Sequence, residues 1–559
     1  MDDIELQSRQ PPTLNARASK TSLGISVEHK NDSTTPSPPR DTSPSPQSQF
    51  PEGARLIFLT LGLMLSILLA ALDFSIIATA IPAITTEFNS ISNIAWYGSA
   101  YSITNGAFKL VWGKAYQHFP LKRVFMLTVT LFELGNIICG AAQSSEALIL
   151  GRVVAGLGGG GVMTGAFIII AVSVGEDKRP AFMGVVSATF GISSVAGPLL
   201  GGGLTGSVGW RWCFWINLPI GALAVAIVAL SFRSPLTPPR EMKRIQRFAS
   251  LDIGGGLLVT SFFTCFVLGM HYSSISPWTS PRVLCSLIGS FLSFCAFVFN
   301  EYKMGDKAMV HAHLLRRPKV ALNLAFMFFF AGVFQPLQYT LPVQFQSVDA
   351  ASPSQSGVRL IPLLLGVSVF TATSNVLLTW WRHYKPLLLG GAMLATAGTI
   401  SIYSVDKPAS TRTWIGFEML TGMGIGIALQ IPMIYNQALV EKDEVALVTP
   451  LSLFSENVGT TLFVASGEAA FAQGLVRYLK ASLPELDPKV VVDAGALQIR
   501  SLFRDEELRM VLGGYLHGCR VSHLLAVSCG AVTCLVAVAA AGPGMVREVR
   551  ERLGKSHAG

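Results

Sequence analysis

Apolar stretches recur along this chain with only short polar breaks between them, and many run for 18 or more residues. A helix of about 20 such residues crosses the roughly 30 Å hydrocarbon core of a bilayer. Run length predicts about fourteen spanning helices, at 56–78, 93–113, 123–142, 148–171, 182–203, 212–232, 251–271, 283–301, 320–341, 358–380, 386–404, 414–436, 447–470 and 521–541. The ends break the pattern. Residues 1–54 are polar and carry repeated Ser-Pro and Thr-Pro pairs, a composition that cannot bury a core and predicts a disordered tail. The start is acidic and lacks an apolar stretch, so no signal peptide is expected.

Within the fifth run the apolar residues give way to small ones. Read as a helix, Gly184, Ser187, Ala188, Gly191, Ser194, Val195, Pro198, Gly201 and Gly202 share one face at three- and four-residue steps. A helix in lipid places small residues where another helix backbone comes close. Pro198 is tolerable there because neighbouring groups can re-satisfy the freed backbone. Tight packing alone would account for such a face, and so would a functional interface. A weaker pattern repeats elsewhere: Ala80-Ile81-Pro82 and Thr340-Leu341-Pro342 both place a proline at the outer end of a helix that would open a six-helix half.

Composition settles the class. Half of the 559 residues are apolar (50%) and only 13% are charged, which excludes a string of soluble domains. The net charge of +9 is spread between apolar runs rather than gathered in a patch, so nucleic acid is not an expected partner. The basic short loops alternate with loops almost free of Lys and Arg. Lys122/Arg123, Lys178/Arg179, Arg240–Arg247, Arg316/Arg317 and Arg382/Lys385 share one side with Arg547, Arg550 and Arg552, which predicts that both termini are cytosolic. Asn31-Asp32-Ser33 is a glycosylation sequon that this topology leaves in the cytosol, unused. The loop 471–520 is then external and is expected to hold one amphipathic helix at 497–512. Eight cysteines lack metal-ligand spacing and read as small apolar residues, with a Cys213–Cys519 bridge the one conceivable disulfide.

Nothing in the chain resembles an enzyme's site. The runs Gly158–Gly161 and Gly254–Gly256 lie inside apolar helices and lack the strand-turn-helix setting of a phosphate loop. No metal and no cofactor is expected, and His311 and His313 read as a solvated pair in a loop. Ionisable groups at membrane depth are the candidates, because each is costly unless paired or facing water. Arg152 keeps its proton, so it needs a buried acid or an aqueous cavity. Asp73 can pair with a cation, bind a proton or fix a helix end. Glu133, Glu456, Glu418 and Glu468 also fall in or near apolar segments, with Glu456 and Glu133 ranked above Glu418, which is expected near the outer surface. Lys109 is a candidate partner for one of them. Trp96, Asn105, Gln335, Gln338 and Gln430 are candidates for a broad pocket, as sparse polar groups among aromatic and aliphatic side chains; packing and interfacial anchoring would explain them equally.

Several strings carry a resemblance. Gly191-x5-Gly197-Pro198-x2-Gly201-Gly202, followed by Trp210-Arg211-Trp212-x2-Trp215-Ile216-Asn217-x-Pro219-x-Gly221, closely resembles the antiporter motif and following loop of the major facilitator superfamily, in the fourteen-segment drug:proton antiporter branch and its fungal form. Leu72-Asp73-Phe74-Ser75-Ile76-Ile77, Gly151-Arg152-Val153-Val154-Ala155-Gly156 and Ser356-Gly357-Val358-Arg359-Leu360-Ile361-Pro362 are similar to further motifs of that branch. One stretch departs. Where the family usually carries Gly-x3-Asp-Arg-x-Gly-Arg, this chain reads Gly113 to Arg123 with Gln117 in place of the acid and Pro120 in place of the second glycine, which puts the usual loop charge network in doubt.

The resemblance implies an all-α polytopic membrane protein of the major facilitator fold. Two six-helix halves, 55–232 and 320–545, would flank a linker, 233–319, with two extra helices; 546–559 would be a cytosolic tail. It implies a monomeric exporter of a small organic molecule, a toxin, drug or other secondary metabolite, in exchange for protons at the plasma membrane. Arg152 and a membrane carboxylate would couple motion to protonation. An importer of siderophores or basic amino acids, for instance at the vacuole, and a non-transporting sensor are the alternatives.

Overall fold

The computed structural model describes residues 53–88, 93–233, 250–405 and 410–541. The tail expectations for 1–52 and 542–559, the sequon at Asn31 and the basic segment Arg240–Arg247 lie outside the described residues.

Every regular element among the described residues is helical, as period-3.6 apolar patterning demands. The first group is α1 Ala54–Phe88, α2 Ile94–Ala107, α3 Lys109–His118, α4 Leu121–Gly140, α5 Ser145–Ser173, α6 Arg179–Ser207, α7 Trp212–Trp215 and α8 Asn217–Ser231. Two helices follow, α9 Ile253–Ile275 and α10 Pro281–Met304. The last group is α11 Ala312–Leu315, α12 Pro318–Ser347, α13 Pro353–Arg359, α14 Ile361–Trp381, α15 Tyr384–Tyr403, α16 Thr411–Ala428, α17 Ile431–Ala438, α18 Val445–Ser482, α19 Pro488–Leu502 and α20 Asp505–Ala541.

Twelve helices among the described residues are long and apolar enough to cross a membrane. The other two expected spans are helical but more polar. One is divided at Phe108 into α2 and α3, of 14 and 10 residues. The other is α18, whose middle carries Glu456, Asn457, Thr460, Thr461 and Glu468. Some boundaries move. The expected helix 497–512 is instead split: α19 ends at Leu502, and α20 begins at Asp505, where three acidic residues in its first turn suit the positive end of the helix dipole. α20 thus starts well before 521. Val491, Ile499 and Phe503 pack on Leu475, Val511 and Tyr515, which supports the extension. The expected helix-end prolines also shift inward: α12 runs through both Pro336 and Pro342 to Ser347, and α1 runs on past Pro82 to Phe88.

Small residues determine how the first group packs. Side chains added at Gly135 or Gly158 would strike the facing backbone of α5 or α4, and ones at Gly156 and Gly160 would strike α2. The run Gly158–Gly161 is therefore a helix-packing device, with Ser144 capping α5 through Ala147 N–H at 3.2 Å. α1 packs on α6 and α8, and α4 on α5. In the last group α12, α18 and α20 pack together, and α14 and α15 both pack on α16. The groups meet along α6 and α14, and along α3 and α18. α9 bridges them by packing on both α2 and α18, while α10 packs on α9. All eight cysteines are free, and Cys213 and Cys519 lie against Thr205 and the Thr340 carbonyl rather than each other.

Candidate functional site

The fold brings Asp73 of α1 and Arg152 of α5 together. Arg152 Nη1 donates to Asp73 Oδ2 at 2.6 Å, and both side chains are fully buried. Arg152 Nε donates to the Tyr97 carbonyl at 2.9 Å, and the guanidinium lies 4.6 Å from the centre of the Tyr101 ring. Tyr101 is held by its hydroxyl, which donates to the Ala70 carbonyl at 3.0 Å. Asp73 Oδ1 and Arg152 Nη2 make no hydrogen bond. The pair is thus satisfied on one side only, with a spare acceptor and a spare donor, both buried. Sequence reasoning found both charges but not their pairing, and missed Tyr101, one helical turn beyond Tyr97.

Glu133 of α4 makes no hydrogen bond to that pair, though it lies within electrostatic reach of Asp73. It points at α8, where a side chain at Gly221 would strike it, and both of its oxygens are buried without a hydrogen bond. Nearby, Asn217 donates to Asn136 at 3.2 Å.

A second locus lies where α12, α18 and the break between α16 and α17 meet. Met327, Phe330, Phe334, Gln335, Leu429 and Glu456 line a small gap there. Gln430 stands at the helix break, ahead of Pro432 in the first turn of α17. Interrupted helices of this kind free backbone groups, and transporters use them to line substrate sites. Gln338 donates to Gln335 at 3.2 Å. Lys109 approaches from α3, within electrostatic reach of Glu456, while donating to Asn457 at 3.3 Å. Trp96 and Asn105 fall elsewhere: Trp96 packs on the apolar cluster of α2, α9 and α18, and Asn105 sits against Tyr101.

The small-residue face of α6 divides between two neighbours. Side chains added at Gly184 and Gly191 would strike Asn375 and Ser368 of α14; ones at Gly197 and Gly201 would strike Ser75 and Thr79 of α1. Ser75 also donates to the Ser193 carbonyl at 3.1 Å. Pro198 lies inside the helix, and Gly202 faces open space, outside the packed face. One helix therefore touches both groups. Its neighbouring loop is clamped: Arg211 grips Glu87 at 2.7 and 3.1 Å, Trp210 donates to Glu87 at 2.8 Å, and the Arg211 guanidinium stacks on Trp210.

At the end of the molecule bearing the basic loops, Gly113 abuts Pro450, and Arg382 pairs with Asp177 at 2.8 Å. Gln117 is exposed. The charge partners come from the two-helix segment instead. Lys114 meets His311 at 3.4 Å and lies within electrostatic reach of Asp252 and Glu301. Asn300 donates to Asp252 at 2.8 Å, and Val310 N–H to Glu301 at 2.6 Å. His313 is exposed, in keeping with a solvated loop position, and also meets Glu444 at 2.9 Å. Glu418, expected near the surface, is only 1% exposed.

The chain as a whole has known relatives. The sequence model of the Major Facilitator Superfamily matches residues 63–464. The chain is 36% identical over 500 residues to the MFS-type transporter grgE of Penicillium sp, covering 89% of this chain and 88% of that one. It is 36% identical over 510 residues to the aspyridones efflux protein of Neocamarosporium betae, covering 89% of each. In fold it is similar to the crystal structure of the human organic anion transporter MFSD10, with a TM-score of 0.57 at 11% identity over 87% of this chain and 100% of that one. The chain belongs to the Major Facilitator Superfamily and is a multi-pass membrane transporter of small molecules, not an enzyme.

Proposed function

We propose that this transporter exports a small organic molecule, a toxin, drug or other secondary metabolite, in exchange for protons across the plasma membrane, as a monomer with both termini in the cytosol. The observation that carries the coupling is the fully buried Asp73–Arg152 pair with one free acceptor and one free donor. Charges at that depth are expensive, and functional use is the usual reason to keep them. A proton on Asp73 removes the charge that holds Arg152 Nη1. The guanidinium then keeps the Tyr97 carbonyl and the Tyr101 and Phe214 rings, and the tie between α1 and α5 loosens. Glu133 and Glu456 are further proton carriers in this scheme. Support for export comes from the efflux name of the Neocamarosporium betae relative.

In this reading the halves 55–232 and 320–545 rock about α6 and α14, and the segment 233–319 is an insert of two helices. Cargo sits between Gln335, Gln430 and Glu456. The clasp at Gly113–Pro450 and Asp177–Arg382 shuts the cytosolic side. The test is accumulation of a panel of toxic amphipathic metabolites and dyes in cells with and without the chain, each with and without a protonophore. Lower accumulation that the protonophore abolishes is the expected result. Higher accumulation in expressing cells would overturn export in favour of import.

A further inference from the structure

Lys109 has no part in the Asp73–Arg152 scheme, yet it is a cation at membrane depth. It opens α3 just past Phe108, so about 13 Å of helix separates it from the basic-loop end, and it is only 8% exposed. A lysine so placed needs a partner or a cavity. Its partners come from the other group of helices. Lys109 Nζ donates to Asn457 Oδ1 of α18 at 3.3 Å, and Glu456 is the preceding residue of that helix. Gly106 makes room for this approach, since a side chain there would strike the Asn457 amide. Toward the basic-loop end the same seam continues to Gly113, which abuts Pro450.

The two charges are exclusive to each other. Among the described residues Glu456 is the one charge that reaches Lys109, and Lys109 the one that reaches Glu456. The gap beside Glu456 adds the Gln335 amide and apolar side chains from α12 and the break before α17. From α9, Phe263 packs on Phe454. The next charge along α3, Lys114, is engaged with Asp252, Glu301 and His311, and the next acid along α18, Glu468, acts on Tyr339. Nothing else in the seam can take over if either member of the pair is neutralised. A buried cation that loses its counter-charge is strongly destabilising. The seam can relieve that cost by parting, which lets water reach the ammonium.

We infer that Lys109 is a positioning residue for transport: with Glu456 ionised the pair holds α3 against α18, and a proton on Glu456 releases that seam. The proton adds to a carboxylate oxygen, and the ammonium keeps its own three. The inference rests on the reading that the two groups of helices part at this end during transport, and it names the charges that hold them together.

The test uses the purified full-length chain in detergent. Cys265, Cys285, Cys295 and Cys534, the cysteines that are not buried, are replaced by serine, and spin labels are placed at Gln117→Cys and Asp443→Cys, exposed positions on the two groups beside the seam. Distances between the labels are recorded from mildly alkaline to mildly acid pH. The labelled parent is expected to show a short distance that gives way to a longer one as the pH falls. Glu456→Gln should show the longer distance at every pH, and adding Lys109→Met to it should bring back the short one, because the stranded cation is gone. Lys109→Met alone should lose the opening at acid pH, and Lys109→Arg should keep it. Should Glu456→Gln fail to fold, the contrast between Lys109→Met and Lys109→Arg decides alone. Acid opening that survives Lys109→Met overturns the inference while leaving the parting of the groups intact. A parent distance that ignores pH overturns the inference too. Loss of protonophore-sensitive efflux in cells bears on export and leaves these distances untouched.

Discussion

Arg152 makes several different contacts from one planar group: a hydrogen bond from Nη1 to Asp73, one from Nε to the Tyr97 carbonyl, and cation–π contacts with Tyr101 and, at 6.0 Å, Phe214. Lysine has no second donor fixed at the fork angle and no flat face to stack. Arg152→Lys is therefore expected to abolish proton-driven efflux even where it folds. Asp73→Asn strands a buried cation, and such breaks cost about 3–5 kcal/mol; thermal unfolding of the purified protein should register the loss, and Asp73→Asn/Arg152→Gln should recover part of the stability without transport. Glu87 gives a pH prediction. Its hydrogen bonds from Arg211 and Trp210 hold its carboxyl below the ordinary carboxylate value. A lowered folded-state pKa means the clamp contributes above the unfolded-state pKa and is lost as pH falls through the folded one. The pair is 36% and 44% exposed, so its worth is at most about 1 kcal/mol. Glu87→Gln should flatten that acid-side loss in unfolding scans and change little near neutrality. At this scale the sequence revealed which charges were out of place in lipid. It did not reveal that Asp73 and Arg152 were each other's answer, because 79 residues separate them and only the packing of α1 on α5 brings them together.

The division of the α6 face makes an element-scale prediction. A methyl group at Gly191 would collide with the Ser368 hydroxyl of α14, whereas Gly202 has open space around it. Gly191→Ala is expected to cut efflux sharply, Ser368→Gly should restore it in the double variant, and Gly202→Ala should be close to neutral. The periodicity of small residues located this face without its partners, since spacing shows which positions align and not what they align against. It also overcounted, because Gly202 shares the arc but looks away from both neighbours. The loop at Gly113–Arg123 is the converse case. Its missing acid was plain in the sequence, while the charges that Asp252 and Glu301 place around Lys114 were invisible, since one acid caps α9 and the other lies near the end of α10, both far along the chain from Lys114. Asp252→Asn/Glu301→Gln should therefore slow turnover much as loss of the usual loop acid would, measured as initial efflux rate at matched expression.

For the whole molecule, the clasp at the basic-loop end predicts a trappable state. Asp177→Cys/Arg382→Cys places thiols on two exposed side chains that now meet at 2.8 Å. A short bifunctional thiol reagent should bridge them, stop efflux, and release it again on cleavage of the bridge. Failure to bridge during turnover would mean that this end does not close in the cycle. Apolar run length alone determined that the chain is a polytopic helical membrane protein, since a bilayer demands about 20 apolar residues per crossing and satisfied backbone hydrogen bonds throughout. Motif strings added the superfamily. Tertiary structure alone decided which charges pair, which helices α6 touches, how the segment 471–520 divides between α19 and the start of α20, and that Glu418 is buried rather than set at the surface. The physical reason is the same each time. Burial in lipid is a property of one helix and is written in its composition, whereas pairing is a property of two, and helices packed through small residues leave almost no record in either sequence of which partner they have chosen.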